Sequence, residues 1–125
     1  MRQQNQEISM PRNAIKAWSP DPYNAAALVA VPALWNIGGP NEGFPKPISL
    51  LVFENDSTTA CDIRFYNDVH QQQHIPAHGS LTLNFQTNHQ PTANVSCFPV
   101  GAQLYIAGAA GVGFIYVTGY YTEQS

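Results

Sequence analysis

Val112-Gly113-Phe114-Ile115-Tyr116-Val117-Thr118-Gly119-Tyr120-Tyr121-Thr122 is the stretch that decides the fold class. β-Branched and aromatic residues dominate it, and such side chains suit a pleated, half-buried surface. No 3.6-residue apolar period runs through it, so the segment is predicted to be the longest strand of the chain. Alternation puts Phe114, Tyr116 and Tyr120 on one face and Tyr121 on the other. That tyrosine-rich face either fills the core or points outward. Pointing outward, it would form a subunit interface or stack on sugars, and the interface through Tyr116, Tyr120 and Tyr121 is the preferred of these two.

Reading backwards from this strand, the pattern stays β. Leu104 and Ile106 begin a strand that ends at Gly108-Ala109-Ala110-Gly111, read as a glycine-bearing hairpin turn. Leu81, Leu83 and Phe85 alternate with Thr82 and Asn84, and Cys61, Ile63 and Phe65 alternate with Asp62, Arg64 and Tyr66. Ile75-Pro76-Ala77-His78-Gly79-Ser80 reads as a strand end and a turn. Ile48–Glu54 is an apolar strand, with Asn55-Asp56-Ser57 as the turn after it. Six or seven short strands at this spacing predict an all-β fold, an antiparallel β-sandwich or jelly roll.

The first 47 residues differ. They hold seven of the ten prolines, and proline fixes φ and removes a backbone donor. An extended N-terminal arm is expected over residues 1–22, with a single sandwich domain over 23–125. That domain would begin with a strand at about 25–31 and carry an irregular Gly/Pro loop over 37–47. Ile8, Ile15, Trp18, Tyr23 and Trp35 are candidate anchors by which the arm would grip a partner, since aromatic side chains dominate hot spots.

Composition narrows the partners. Charged residues make up 10% of the chain, and ten Asn and ten Gln supply the polarity instead. Amides are buried with partners at far lower cost than ions, which suits a protein packed against neighbours. The net charge is −3 and only five residues are Lys or Arg, too few to neutralise an extended phosphate backbone. Nucleic acid is therefore excluded as a partner, and the absence of any apolar run near ~20 residues excludes a membrane span. The polar first 16 residues lack the apolar middle of a signal peptide, so synthesis in a cytoplasm is expected. In that setting Cys61 and Cys97 are expected to be buried free thiols in preference to a bridge.

No catalytic centre is expected. His70, His74 and His78 are four residues apart, but Pro76 and Gly79 oppose a helix through them. On a strand their rings would stand roughly 13 Å apart. They read as solvated loop histidines, unless copies of one meet on a three-fold axis to hold a metal. Ser80 beside His78 lacks the G-x-S-x-G elbow of a hydrolase. Gly108–Gly113 lacks the Lys-Ser/Thr ending of a phosphate loop. The carboxylates are scattered, and Asn55-Asp56-Ser57 and Asn94-Val95-Ser96 are chance glycosylation matches. No cofactor is implied.

The C-terminal half resembles small virion proteins of tailed bacteriophages. The residues concerned are Ile75-Pro76-Ala77-His78-Gly79-Ser80-Leu81-Thr82-Leu83, Gly101-Ala102-Gln103-Leu104-Tyr105-Ile106-Ala107-Gly108 and Gly113-Phe114-Ile115-Tyr116-Val117-Thr118-Gly119-Tyr120. A Pro/Gly turn feeds an alternating strand, and two glycine-bounded aromatic strands follow. The resemblance implies a capsid decoration (cement) protein on the capsid surface of a virion. Its partners would be the major capsid protein and two further copies of itself in a homotrimer. Head-fibre, neck or tail-tip modules and a carbohydrate-binding β-sandwich are the alternatives.

Overall fold

The computed structural model describes residues 13–38, 43–84 and 98–124. Ile8, Phe85, Cys97 and the Asn94-Val95-Ser96 match lie outside the described residues. Among the described residues there are nine strands: β1 (Asn13–Trp18), β2 (Tyr23–Asn24), β3 (Ala33–Trp35), β4 (Leu50–Ser57), β5 (Cys61–Phe65), β6 (Gln72–Ile75), β7 (Ser80–Asn84), β8 (Leu104–Gly108) and β9 (Gly113–Gln124). They form two antiparallel sheets packed face to face, ordered β1-β9-β4-β7 and β3-β8-β5-β6, with the short β2 also paired to β9. The all-β sandwich expected from the alternating segments is the fold observed.

Burial explains each strand. In β4 the side chains of Leu51, Phe53, Asn55 and Ser57 point inward, while Glu54 and Asp56 are exposed. Cys61, Ile63 and Phe65 of β5 and Leu104 and Ile106 of β8 face them from the second sheet. β9 contributes Ile115 and Val117 to the same core. Each such aliphatic or aromatic side chain stabilises the fold by about 1.5–3 kcal/mol on burial. Aromatic rings close one end: Trp18 meets Phe44 edge-on at 5.6 Å between centroids, and Phe98 lies 4.2 Å from Phe65. Tyr23 packs edge-on against Trp35 at 5.5 Å.

Four expectations change. Residues 13–18 belong to the sheet, because β1 pairs with β9 from Asn13↔Gln124 to Trp18↔Gly119, so the arm expected over residues 1–22 is not a separate segment there. The strand expected at about 25–31 is absent. Asn24 caps a 3-10 turn over Ala25–Ala27, its side chain accepting from the Ala26 N–H at 3.0 Å. Asn55-Asp56-Ser57 continues β4, since Asn55 and Ser57 find hydrogen-bond partners inside the protein. Gly108–Gly111 joins strands of different sheets, so it is a crossover and not a hairpin. The loop expected over 37–47 carries no strand at residues 37–38 or 43–47. Instead, Phe44 plugs the sandwich end, its N–H donating to the Ala102 carbonyl at 2.9 Å.

Candidate functional site

The outer face of the first sheet is where side chains are left over after the core is filled. On β9 the inward positions are Ile115 and Val117, which forces Phe114 and Tyr116 outward, 42% and 44% exposed. Tyr120 is on the same outward register and is half-buried. Tyr121 turns the other way, packing against the core with Lys46 Nζ over its ring at 5.7 Å. The face predicted from alternation is therefore outward for Phe114, Tyr116 and Tyr120, and Tyr121 does not share it.

Cross-strand register builds the rest of this face. Tyr116 lies opposite Glu54, Phe114 opposite Asp56, Thr118 opposite Val52 and Tyr120 opposite Leu50. On the far side of β4, Ser80 of β7 lies opposite Glu54. This register leaves depressions on the face among the described residues. One, of about 360 Å³, is lined by Glu54, Asp56, His78, Gly79, Ser80 and Tyr116, with Asn55 at its floor. Another, of about 130 Å³, lies at the opposite end among Ile15, Ser49, Leu50, Asn84, Tyr120 and Thr122.

The larger cleft depends on two local devices. Gly113 starts β9 at φ 118°, and a Cβ there would stand 2.3 Å from the Asp56 carbonyl oxygen. Only glycine permits that approach and that φ. The other device is the Pro76–Gly79 turn, closed by the Gly79 N–H donating to the Pro76 carbonyl at 3.0 Å, with His78 at φ 55°. This conformation carries His78 Nδ1 to 3.8 Å from Asp56 Oδ1. Beneath the cleft, the buried Asn55 amide donates to the Thr59 carbonyl at 2.8 Å and the Pro76 carbonyl at 3.1 Å. Ser57 donates to Asn55 Oδ1 or to the Thr59 carbonyl. Asn55 thus pins the Pro76–Gly79 turn that lines the cleft to the turn at Thr59.

No family model, curated protein or solved structure matches this chain.

The other sequence candidates are dispersed. Trp35 is buried in the chain's own core, and Trp18 and Tyr23 pack against that core. Trp35 therefore offers no surface to a partner, and the other two are engaged within the chain. Ile15, on the outer face of β1, is 78% exposed. His70 sits in the 3-10 turn Val69–Gln71, His74 on β6 with Nδ1 at 2.8 Å from Asp62 Oδ1, and His78 in the cleft turn. Among the described residues no three His, Cys, Asp or Glu side chains come together as a metal site. Cys61 is buried and free; burial, with Asp62 beside it, pushes its thiol up to about 12. It is thus a poor nucleophile. Sequence reasoning missed the cleft, because Glu54, Asp56, Ser80 and Tyr116 converge only through strand register.

Proposed function

We propose that this chain is a structural subunit of a bacteriophage virion, a cement protein that decorates and stabilises the capsid surface and associates as a homotrimer. The observation that carries the reading is the outward row of Phe114, Tyr116 and Tyr120 on a sheet whose core is complete without them. Continued by Ile15, Leu50 and Val52, that row is an aromatic and apolar surface of the kind found at interface centres. The scarcity of charge supports it as well.

Strand order adds fold-level support. Apart from the β5–β6 step and the short β1–β2 step, every connection passes from one sheet to the other. Eight strands so nested, with sheets ordered β1-β9-β4-β7 and β3-β8-β5-β6, support reading the sandwich as a jelly roll, an architecture shared by viral capsid and lectin domains. Fold alone does not assign function, so the test addresses the face. Purified chain is mixed with empty shells of the virus that encodes it and co-sedimented. Binding that is lost in Tyr116→Ala/Tyr120→Ala supports the reading, and a chain that never sediments with shells refutes it.

A carbohydrate-binding role has one observation in its favour, the Tyr116 ring beside Glu54, Asp56 and Ser80. Hits on a glycan array that vanish in Tyr116→Ala would move the function there.

A further inference from the structure

The outer cleft carries two carboxylates, with His78 beside one of them. Glu54 and Asp56 stand two residues apart on one face of β4, flanked by Tyr116 on β9 and Ser80 on β7. Among the described residues, no hydrogen bond or ion pair reaches the Glu54 carboxylate, and Asp56 has only His78 at 3.8 Å. Two carboxylates beside an exposed phenol ring form a receptor for a cationic side chain. The ring face attracts an ammonium or guanidinium, and the carboxylates accept its charge-assisted hydrogen bonds.

Of the five Lys and Arg residues, three lie among the described residues and could fill such a receptor. Lys46 lies over the Tyr121 ring, and Arg64 donates to Gln72 and Asn67. Lys16, on β1, is exposed and has no partner among the described residues. Among the described residues β1 is an edge of its sheet, and exposed Ile15 stands next to Lys16. Within one chain the two cannot meet. Lys16 lies opposite Tyr121, five positions along β9 from Tyr116, or about 17 Å at the rise of a strand. It also shares the face of Tyr121 and not that of Tyr116.

We propose that the Tyr116–Glu54–Asp56 cleft of one copy receives Lys16 from the β1 edge of a second copy, joining subunits head to tail. The inference rests on the reading that the chain self-associates, and it supplies the contact. Cleft and edge are different surfaces, so the interface is heterologous and closes only as a ring. A three-membered ring matches the homotrimer.

The test is a charge swap in the full chain, read by size exclusion with light scattering across concentration and salt. Wild type is expected at three chain masses at low salt, dissociating as salt rises. Lys16→Glu and Glu54→Lys should each weaken association at least tenfold. Lys16→Glu/Glu54→Lys should return it to within a few-fold of wild type. Both positions are exposed, and thermal melts of each variant verify the fold. A trimer indifferent to both single variants overturns this contact and leaves self-association standing. Single losses without rescue in the double variant overturn it too. So does a neutral oligosaccharide such as cellohexaose binding the cleft in a Tyr116-dependent way without dispersing the ring. A wild type that stays monomeric at every concentration overturns both this contact and the homotrimer, while shell co-sedimentation still tests the virion role separately.

Discussion

Replacing Asn55 with alanine should destabilise the protein out of proportion to the few atoms removed. The side chain is buried, donates to the Thr59 and Pro76 carbonyls, and accepts from Ser57. Two amide donations are lost, each with a net value of about 1 kcal/mol, and the Ser57 hydroxyl must turn to another acceptor. The hole left behind adds somewhat under about 1 kcal/mol. The sum is about 3 kcal/mol. For a chain of 125 residues, unfolding entropy near 2.1 cal/mol/K per residue turns this into a fall of about 11 °C in Tm. Differential scanning calorimetry of Asn55→Ala and Ser57→Ala, with the double variant, measures it. Both residues serve one network, so the double variant should lose about 0.5 kcal/mol or more less than the sum of the singles. Asn55→Asp sharpens the point, because a carboxylate would face the same carbonyls and be held protonated by its site. Its deficit relative to wild type should be small below pH ~4 and grow as pH rises. A Tm fall under about 3 °C for Asn55→Ala would refute the pinning role.

Three further outcomes are expected. Cys61 should resist iodoacetamide in the native protein at pH 8 and react on unfolding, read by peptide mass mapping. Its thiol is raised from an ordinary 9.0 to about 12, so the folded state favours the protonated form. The corresponding stability is complete below pH 9 and is lost as pH climbs toward 12, a decline in denaturation midpoint that Cys61→Ala should lack. Gly113→Ala should cost about 2 kcal/mol or more in chemical denaturation, since its φ is in the left-handed region and its Cβ would meet the Asp56 carbonyl. Deleting residues 2–22 should abolish cooperative unfolding by circular dichroism, because β1 and Trp18 go with it.

Much of the fold was legible because it is written in local alternation. Cys61, Ile63 and Phe65 are buried and Asp62 and Arg64 are not, as a period of two requires. The β9 strand was legible for the same reason, down to the divergence of Tyr121 from Phe114, Tyr116 and Tyr120. What misled was vocabulary whose meaning depends on context. Asn55-Asp56-Ser57 uses turn residues, but two of them are buried inside a strand because distant carbonyls satisfy them. The apolar Ala25–Val31 looks like a strand, yet Asn24 caps it into a 3-10 turn. The Pro-rich beginning hid β1, whose six residues contain no proline and gain their order from β9, over a hundred positions away. The cleft was illegible for a related reason. Its residues come from β4, β7, β9 and a turn, and nothing local in the sequence reveals which rungs of the ladder face each other.

The pairing of β1 with β9 has a consequence for how the protein is made. On a ribosome, Asn13–Trp18 emerges long before its partner, and β4 likewise waits for the central strand between them. The β4–β7 pair can form earlier, but β1 cannot join the sheet, nor β4 gain its second neighbour, until β9 at the end of the described chain has left the tunnel. Such distant pairings favour slow, all-or-none acquisition of structure. Until then the apolar strands stand open to chaperones and to one another. The same seam brings the two ends of the described chain side by side, with Asn13 opposite Gln124.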